Sequence, residues 1–194
     1  VLAVYPVVTA VATAGLLYIA VRTFSGDDRV ALAAILIFAL LPEHALRTSL
    51  GFADHHAFDL VWLLTTFLGV VLAEDAADHD RPRRAIAAAL VGVGILGQTL
   101  AWEAGPLLFA PVGLYAVARS ALAVADDVSP IGVLAPVVAG TAVGGIGVGV
   151  AHATQGWHSA AVASTPTLLF VGTLSVALLA EAGSRVDRSP REVL

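Results

Sequence analysis

The chain of 194 residues is 58% hydrophobic and only 13% charged, with a formal net charge of −5. Soluble domains average about 45–50% apolar and about 25% charged residues, so this composition excludes an ordinary soluble domain and indicates a multi-span membrane protein. Cysteine is absent, which excludes disulfide bonds and thiolate metal sites. Methionine is also absent, so we expect a piece of a longer protein and assign no signal peptide.

Six or seven of seven apolar segments are predicted to form transmembrane helices, each of which needs roughly 20 apolar residues. The second segment is short, because its 13 residues cover only about 20 Å before Pro42, which cannot continue a helix without losing a hydrogen bond. Residues 43–51 therefore either extend this segment or fold back at the membrane face. The seven segments are residues 2–24, 30–42, 57–73, 85–102, 105–123, 131–151 and 166–180.

Arginine is distributed unequally among the loops that connect successive apolar segments. If each apolar segment crosses once, nine of the ten arginines lie on one side and only Arg47 lies on the other. Cytoplasmic loops carry the excess of positive residues, so the nine are predicted to be cytoplasmic. Residues 54–56, the turn at 102–105 and the loop at 152–165 are then predicted to face outside. The alternative is that arginine placement is chance.

The segments predict an all-α, polytopic transmembrane helical bundle. We expect residues 1–182 to belong to one transmembrane domain, and residues 183–194 to form a cytoplasmic loop or the start of a continuing segment. The stretch "GTAVGGIGVGV" (140–150) is rich in glycine. Small residues let transmembrane helices approach closely, but the same composition also fits a flexible, weakly packed helix.

The stretch "LRTSLGFADHHAFDLVW" (46–62) contains the candidate site: Asp54, His55, His56 and Asp59. Imidazole and carboxylate groups are good ligands for divalent metals. If the chain is helical from residue 54, both histidines share a face with Asp59 at i, i+4 and i, i+3. If residues 54–56 are extended, Asp54 and His56 point the same way instead. Either geometry gathers two or three ligands, and the remaining ligands must come from elsewhere.

A simpler role for Asp54 is an N-cap. Its carboxylate would accept hydrogen bonds from the first free N–H groups of a helix that starts at His55. The two histidines would then be interfacial residues. Spacing alone does not choose between the cap and the metal ligand.

Other polar residues on the predicted outer side give weaker signals. Arg47 is predicted either to bind an anionic ligand or to pair with Glu43 at i, i+4. Glu103 is expected to be an interfacial carboxylate, and Trp157 an interfacial anchor. The chain contains no P-loop, Gly-x-Ser-x-Gly, His-Glu-x-x-His or nucleic-acid signature.

The stretch "RTSLGFADHHAF" (47–58) resembles the second acidic motif of the catalytic subunits of oligosaccharyltransferases, in particular those of the archaeal branch. In that motif an arginine lies seven residues before an aspartate with a glycine between them, and in archaeal members a histidine follows the aspartate by two residues. Arg47, Gly51, Asp54 and His56 stand at these offsets. "WEAGPLLF" (102–109) resembles the Trp-x-x-Gly turn of archaeal members. The resemblance is loose over residues 5–120 and close over 47–59.

The resemblance implies a GT-C type fold in the cell membrane and a metal-dependent enzyme. Such enzymes move an oligosaccharide from a polyprenyl phosphate or diphosphate carrier to the asparagine of an Asn-x-Ser/Thr sequon, with Mn²⁺ or Mg²⁺ as cofactor. Asp54 and His56 would be the catalytic metal ligands. Arg47, His55 and Asp59 would support a ligand or orient the substrate. The implied partners are the lipid-linked oligosaccharide, the acceptor sequon and membrane lipids, without nucleic acid.

The family pattern also includes parts that residues 1–194 do not contain. These parts are an earlier acidic motif, a later external loop with an acceptor-binding glutamate, and a soluble domain with a Trp-Trp-Asp motif. We therefore expect this piece alone to be inactive. Two alternatives stay open at the level of the sequence: a secondary transporter or metal permease, suggested by ionisable groups beside a short second helix, and a structural membrane subunit in which Asp54 is only a cap.

Overall fold

The structure, a computed structural model, describes residues 4–50, 55–76 and 80–187. Over these residues the chain forms eight α-helices and one 3-10 helix, with no strand, so the all-α prediction is confirmed. Six apolar segments, all except the second, are long and apolar enough to cross a membrane. The α-helices are α1 (Tyr5–Ser25), α2 (Asp28–Leu40), α3 (Pro42–Arg47), α4 (His55–Asp75), α5 (Arg81–Ala101), α6 (Ala110–Ala125), α7 (Pro130–Gln155) and α8 (Ala160–Asp187), and the 3-10 helix is Gly105–Phe109.

The second apolar segment bends instead of forming a longer helix. α2 has 13 residues and ends where Leu41 adopts an extended conformation. α3 then starts at Pro42, and the ring of His44 packs on that of Phe38 with a centroid separation of 3.8 Å. Residues six apart in a continuous helix would lie about 9 Å apart along its axis. α3 therefore folds back on α2.

The chain nevertheless returns across the bundle between α1 and α4. The rings of Tyr5 and Phe58, near the starts of these helices, lie 5.8 Å apart. Phe24 and Asp75, near their ends, line one cavity. α1 and α4 are therefore parallel, and residues 26–54 must lead from the end of α1 back to the start of α4. This agrees with the predicted alternation of segments.

The loop predicted at residues 152–165 is much shorter, which corrects that prediction. α7 continues to Gln155, where Gly156 in the left-handed conformation (φ 62°) donates its N–H to the carbonyl of His152. α8 already begins at Ala160, so only residues 156–159 connect the two helices. The predicted segment began at Pro166, which instead lies inside α8.

Both interior prolines have a neighbour that compensates for the missing N–H. Proline leaves the carbonyl four residues earlier without its helical donor. For Pro166 that carbonyl belongs to Val162, and it accepts a hydrogen bond from the Thr165 hydroxyl at 2.6 Å. For Pro136 it belongs to Gly132, and it accepts a hydrogen bond from the guanidinium of Arg84 on α5. These bonds allow α7 and α8 to continue through proline in an apolar environment.

The two ends of the bundle differ in charge. Among the residues that the structure describes, Arg22, Arg29, Arg81, Arg83, Arg84, Arg119 and Arg185 lie at the end where α1, α4, α6 and α8 finish. We call this the arginine end. The opposite end carries Arg47 together with His44, His152 and His158, and we call it the histidine end. The segregation of arginine predicted from the sequence is therefore present in the fold.

Polar contacts connect neighbouring helices at the arginine end. Arg22 and Tyr18 of α1 both bind the Asp28 carboxylate. Their hydrogen bonds, with that of Arg22 the stronger influence, hold the pKa of the Asp28 carboxyl below its usual range. The other contacts link α4 to α5, α4 to α6 and α7 to α8. They are Asp75 with Arg83, Glu74 with Arg119 and Tyr115, and Ser129 with Glu181.

Glycine allows α5 to lie close to both α4 and α7. A Cβ atom on Gly94 of α5 would lie 2.7 Å from the backbone nitrogen of Thr66 in α4. A Cβ atom on Gly140 of α7 would lie 2.7 Å from the carbonyl oxygen of Ala88 in α5. Backbone atoms at these distances cannot move aside cheaply. The glycine-rich stretch of α7 therefore provides close helix packing over residues 140–147.

We predict that Gly140→Ala lowers the stability of the bundle, whereas Gly149→Ala in the same helix does not. The added methyl at position 140 would overlap Val91 Cβ and Ala88 O, at 2.6 and 2.7 Å, while position 149 has no atom within 4 Å. Overpacking of this kind costs about 1–3 kcal/mol. Thermal unfolding of the two variants in detergent measures the difference, and equal unfolding temperatures would contradict the packing described here.

Candidate functional site

The start of α4 fixes the backbone position of the two adjacent histidines. α4 begins at His55, so His55 and His56 lie in its first turn and Asp59 lies one turn further on. This backbone is the helical one of the two geometries considered above. Asp54 lies outside the described residues, as do the side chains of His55 and His56, so their metal-binding role remains a prediction.

A cavity of about 670 Å³ lies beside the first turn of α4 at the histidine end. Its wall comes from four parts of the chain: the end of α2, α3, the start of α4 and the residue that follows α5. Carboxylate, imidazole, guanidinium and aromatic groups all contribute to the wall. The lining residues are Phe38, Leu41, Pro42, Glu43, His44, Arg47, Asp59, Leu60, Leu63 and Trp102.

Asp59 is a buried carboxylate in the wall of this cavity, with only 5% of the residue exposed. A charged group removed from water needs hydrogen bonds or an opposite charge nearby. Its position one turn from both histidines agrees with the predicted role as a partner of a ligating imidazole. That role remains a prediction, because it depends on side chains outside the described set.

Arg47 pairs with Glu43 within α3, as one of the two sequence interpretations proposed. The Nε and Nη2 atoms of Arg47 lie 3.1 and 3.0 Å from Glu43 Oε1. An exposed pair of this type contributes about 0–1 kcal/mol. The Arg47 side chain also lines the cavity, so an anionic group that enters the cavity meets a guanidinium.

His44 is a cavity residue that the sequence reasoning did not single out. Its Nδ1 atom is buried and has no hydrogen-bond partner among the residues that the structure describes. Burial lowers the pKa of the His44 imidazole and so favours its neutral form, the form that binds metals. The sequence signal for His44 is its i, i+3 spacing from Arg47 after Pro42, which places the two side chains on one face of a helix.

The turn after α5 is present where the sequence predicted it. α5 ends at Ala101, Trp102 is extended, and the N–H of Gly105 donates to the Trp102 carbonyl at 3.0 Å. Glu103 in this turn is exposed. The turn places Trp102 in the cavity wall opposite the start of α4.

Trp157 has a structural contact beyond the interfacial anchor that was predicted. Its indole N–H donates to the carbonyl of Leu100, one of the last carbonyls of α5, at 3.0 Å. The Trp157 carbonyl lies 3.1 Å from His152 Nδ1. The short connection between α7 and α8 thus holds the end of α5, which carries Trp102.

No metal site is complete within residues 4–50, 55–76 and 80–187. Over that part of the chain, no three His, Asp or Glu side chains are grouped so that they could hold a metal ion. Asp54 and the side chain of His56 are not in that set. The carboxylate of Asp59 and the imidazole of His44 both line the neighbouring cavity.

The chain was also compared with known proteins. Residues 1–179 match the family described as oligosaccharyl transferase STT3, N-terminal, a range that contains α1–α7, most of α8, the cavity and the motif at 47–59. The comparisons with curated proteins and with solved structures gave no match. The match confirms the predicted oligosaccharyltransferase family, while the archaeal branch and the roles of the motif residues stay predictions. Since it covers nearly the whole chain, the protein belongs to the STT3 family of oligosaccharyl transferases, membrane glycosyltransferases of N-glycosylation that use a lipid-linked oligosaccharide and a protein acceptor.

Proposed function

We propose that this chain supplies part of the active site of an enzyme that moves an oligosaccharide from a polyprenyl phosphate or diphosphate to the asparagine of an Asn-x-Ser/Thr sequon. The observation that carries this proposal is the family match over residues 1–179. The cavity beside the first turn of α4 supports it, because the best-matching motif leads directly into that turn. Family membership also argues against the transporter and the purely structural subunit.

Asp54 and His56 would hold Mn²⁺ or Mg²⁺ in this proposal. When bound, the cation supplies positive charge that offsets the charge developing on the leaving phosphate. A histidine ligand favours Mn²⁺ over Mg²⁺, and the Asp-x-His spacing is that of archaeal members of the family.

The other residues of the site would bind and orient. Arg47 lines the cavity as a planar guanidinium, which can bind phosphate oxygens in a bidentate manner. Asp59, buried one turn from the two histidines, would fix the orientation of one imidazole by accepting its N–H. Trp102 and Phe38 contribute apolar groups to the cavity wall beside the polar ones.

The histidine end would face the outside of the cell, and the arginine end the cytoplasm. The support is the concentration of arginine at one end of a multi-pass bundle, because cytoplasmic loops of membrane proteins carry the excess of positive residues. The acceptor protein and the oligosaccharide would then meet at the outer membrane surface.

Labelling of single introduced cysteines tests this orientation directly, because the 194 residues contain no cysteine that would also react. We expect Ala153→Cys, exposed at the histidine end, to react with an impermeant maleimide on intact cells. Ala125→Cys, exposed at the arginine end, should react only after lysis. The reverse pattern would refute the proposed orientation, and reaction of both variants on intact cells would refute the separation of the two ends.

The variant Asp54→Asn separates the metal ligand from the N-cap. Asparagine caps a helix about as well as aspartate but lacks the negative charge that a hard divalent cation prefers. We expect sequon glycosylation by the host's complete gene product to fall at least about 100-fold. Loss of a residue that only supports a metal ligand costs up to about 100-fold, and loss of a direct ligand should cost no less. Asp126→Asn, at an exposed position of the arginine end, is the matched control and should retain activity. Normal glycosylation by Asp54→Asn with impaired Asp54→Ala would show that Asp54 is only a cap.

A further inference from the structure

Gln98 is a buried amide to which the proposed function gives no role. It lies in the last turn of α5, a helix long and apolar enough to cross a membrane, and only 2% of the residue is exposed. Its Nε2 and Oε1 atoms are both buried, and neither has a hydrogen-bond partner among the residues that the structure describes. A polar group at such a position is costly, and polar groups retained inside membrane helices commonly mark functional positions.

The turn after α5 packs directly on Gln98. The Gln98 carbonyl accepts the N–H of Trp102 at 3.3 Å. Gly105 is buried there, and a Cβ atom at its position would lie 2.5 Å from the carbonyl oxygen of Gln98 and 3.3 Å from its Cγ atom. Only glycine allows this approach, because the carbonyl belongs to a helix backbone and cannot move aside cheaply. The Trp-x-x-Gly spacing thus brings the following 3-10 helix close to Gln98.

The 3-10 helix continues along α5 beyond Gln98. Phe109, its last residue, packs in one core cluster with Ile95 and Val91 of α5, which lie one and two turns before Gln98. The side chain of Gln98 leans in the same direction, because side chains of an α-helix point toward its N-terminus. The Gln98 amide therefore lies beside the backbone of the 3-10 helix.

We propose that Gln98 is a positioning residue of the candidate site and that its amide binds one internal water shared with the backbone of the 3-10 helix. A buried water forms about three hydrogen bonds to polar groups that otherwise lack partners, and an amide side chain supplies two donors and an acceptor. This link fixes the turn at 102–105, which places Trp102 in the cavity wall. The consequence for catalysis rests on the proposed function, whereas the consequence for the turn does not.

Hydrogen exchange of the turn, measured by mass spectrometry on the purified complete gene product, tests the proposal. Gln98→Met keeps the length of the side chain and removes the amide. We expect the backbone N–H groups of residues 102–107 to exchange about five-fold faster, the effect of losing one ordinary hydrogen bond, without a lower unfolding temperature. KM for the lipid-linked oligosaccharide should rise at unchanged kcat, because Trp102 belongs to the cavity wall and not to the reacting groups. Unchanged exchange at 102–107 would refute the positioning role.

A second variant, Gln98→Asn, separates the amide from the size of the side chain. Asparagine keeps the amide but is one methylene shorter, whereas methionine matches glutamine in length and lacks the amide. We expect the turn to exchange more slowly in Gln98→Asn than in Gln98→Met. The opposite order would show that side-chain volume supports the turn, and the proposal would then be wrong. A lower unfolding temperature of Gln98→Met with faster exchange throughout the bundle would have the same meaning.

Thr99→Val is the matched control, because Thr99 is the next residue of α5 and is also fully buried. Its hydroxyl already donates to the carbonyl of Ile95 at 2.9 Å, so it needs no further partner. This variant should leave the exchange of the turn and KM unchanged. Equally fast exchange in Thr99→Val would mean that any loss of polarity at the end of α5 loosens the turn, which contradicts a specific role of Gln98. Absence of sugar transfer by the unmodified gene product would refute the proposed function alone, because the exchange result does not depend on it.

Discussion

The close approach of α5 to α4 and α7 is the constraint on which the rest of the bundle depends. Helices in lipid gain little from burying apolar side chains, so close van der Waals packing has to hold them together. Glycine provides it at Gly94 against Thr66 and at Gly140 against Ala88. The same packing brings the end of α5 next to the start of α4. Trp102 and Asp59 consequently line one cavity.

The two ends of the bundle have different physical roles because charged groups are costly in the hydrocarbon region and collect at its borders. At the arginine end, contacts such as Asp75 with Arg83 and Ser129 with Glu181 connect successive helices. The histidine end has a cavity of about 670 Å³ between a short folded-back helix and α4, and its mainly apolar wall carries a few charged and imidazole groups.

Much of this arrangement could be predicted from the sequence, because apolar length and arginine position are local properties. The helix ends were less predictable. Pro166 looked like the start of a segment, but Thr165 satisfies the carbonyl that this proline leaves open, and α8 therefore begins at Ala160. His44 was missed because its burial depends on the contact with Phe38, which only the bend at Leu41 creates.

We propose that a divalent metal binds at the histidine end, beside the first turn of α4. Pulsed electron paramagnetic resonance between bound Mn²⁺ and a nitroxide on a single introduced cysteine measures this position. A label at position 153, at the same end as the site, should lie within about 20 Å of Mn²⁺, which is the width of two helices. A label at position 125, at the other end of the bundle, should lie about 30 Å or more away, because a helix of 21 residues has that length. A shorter distance to position 125 than to position 153, or no bound Mn²⁺ at all, would contradict the account.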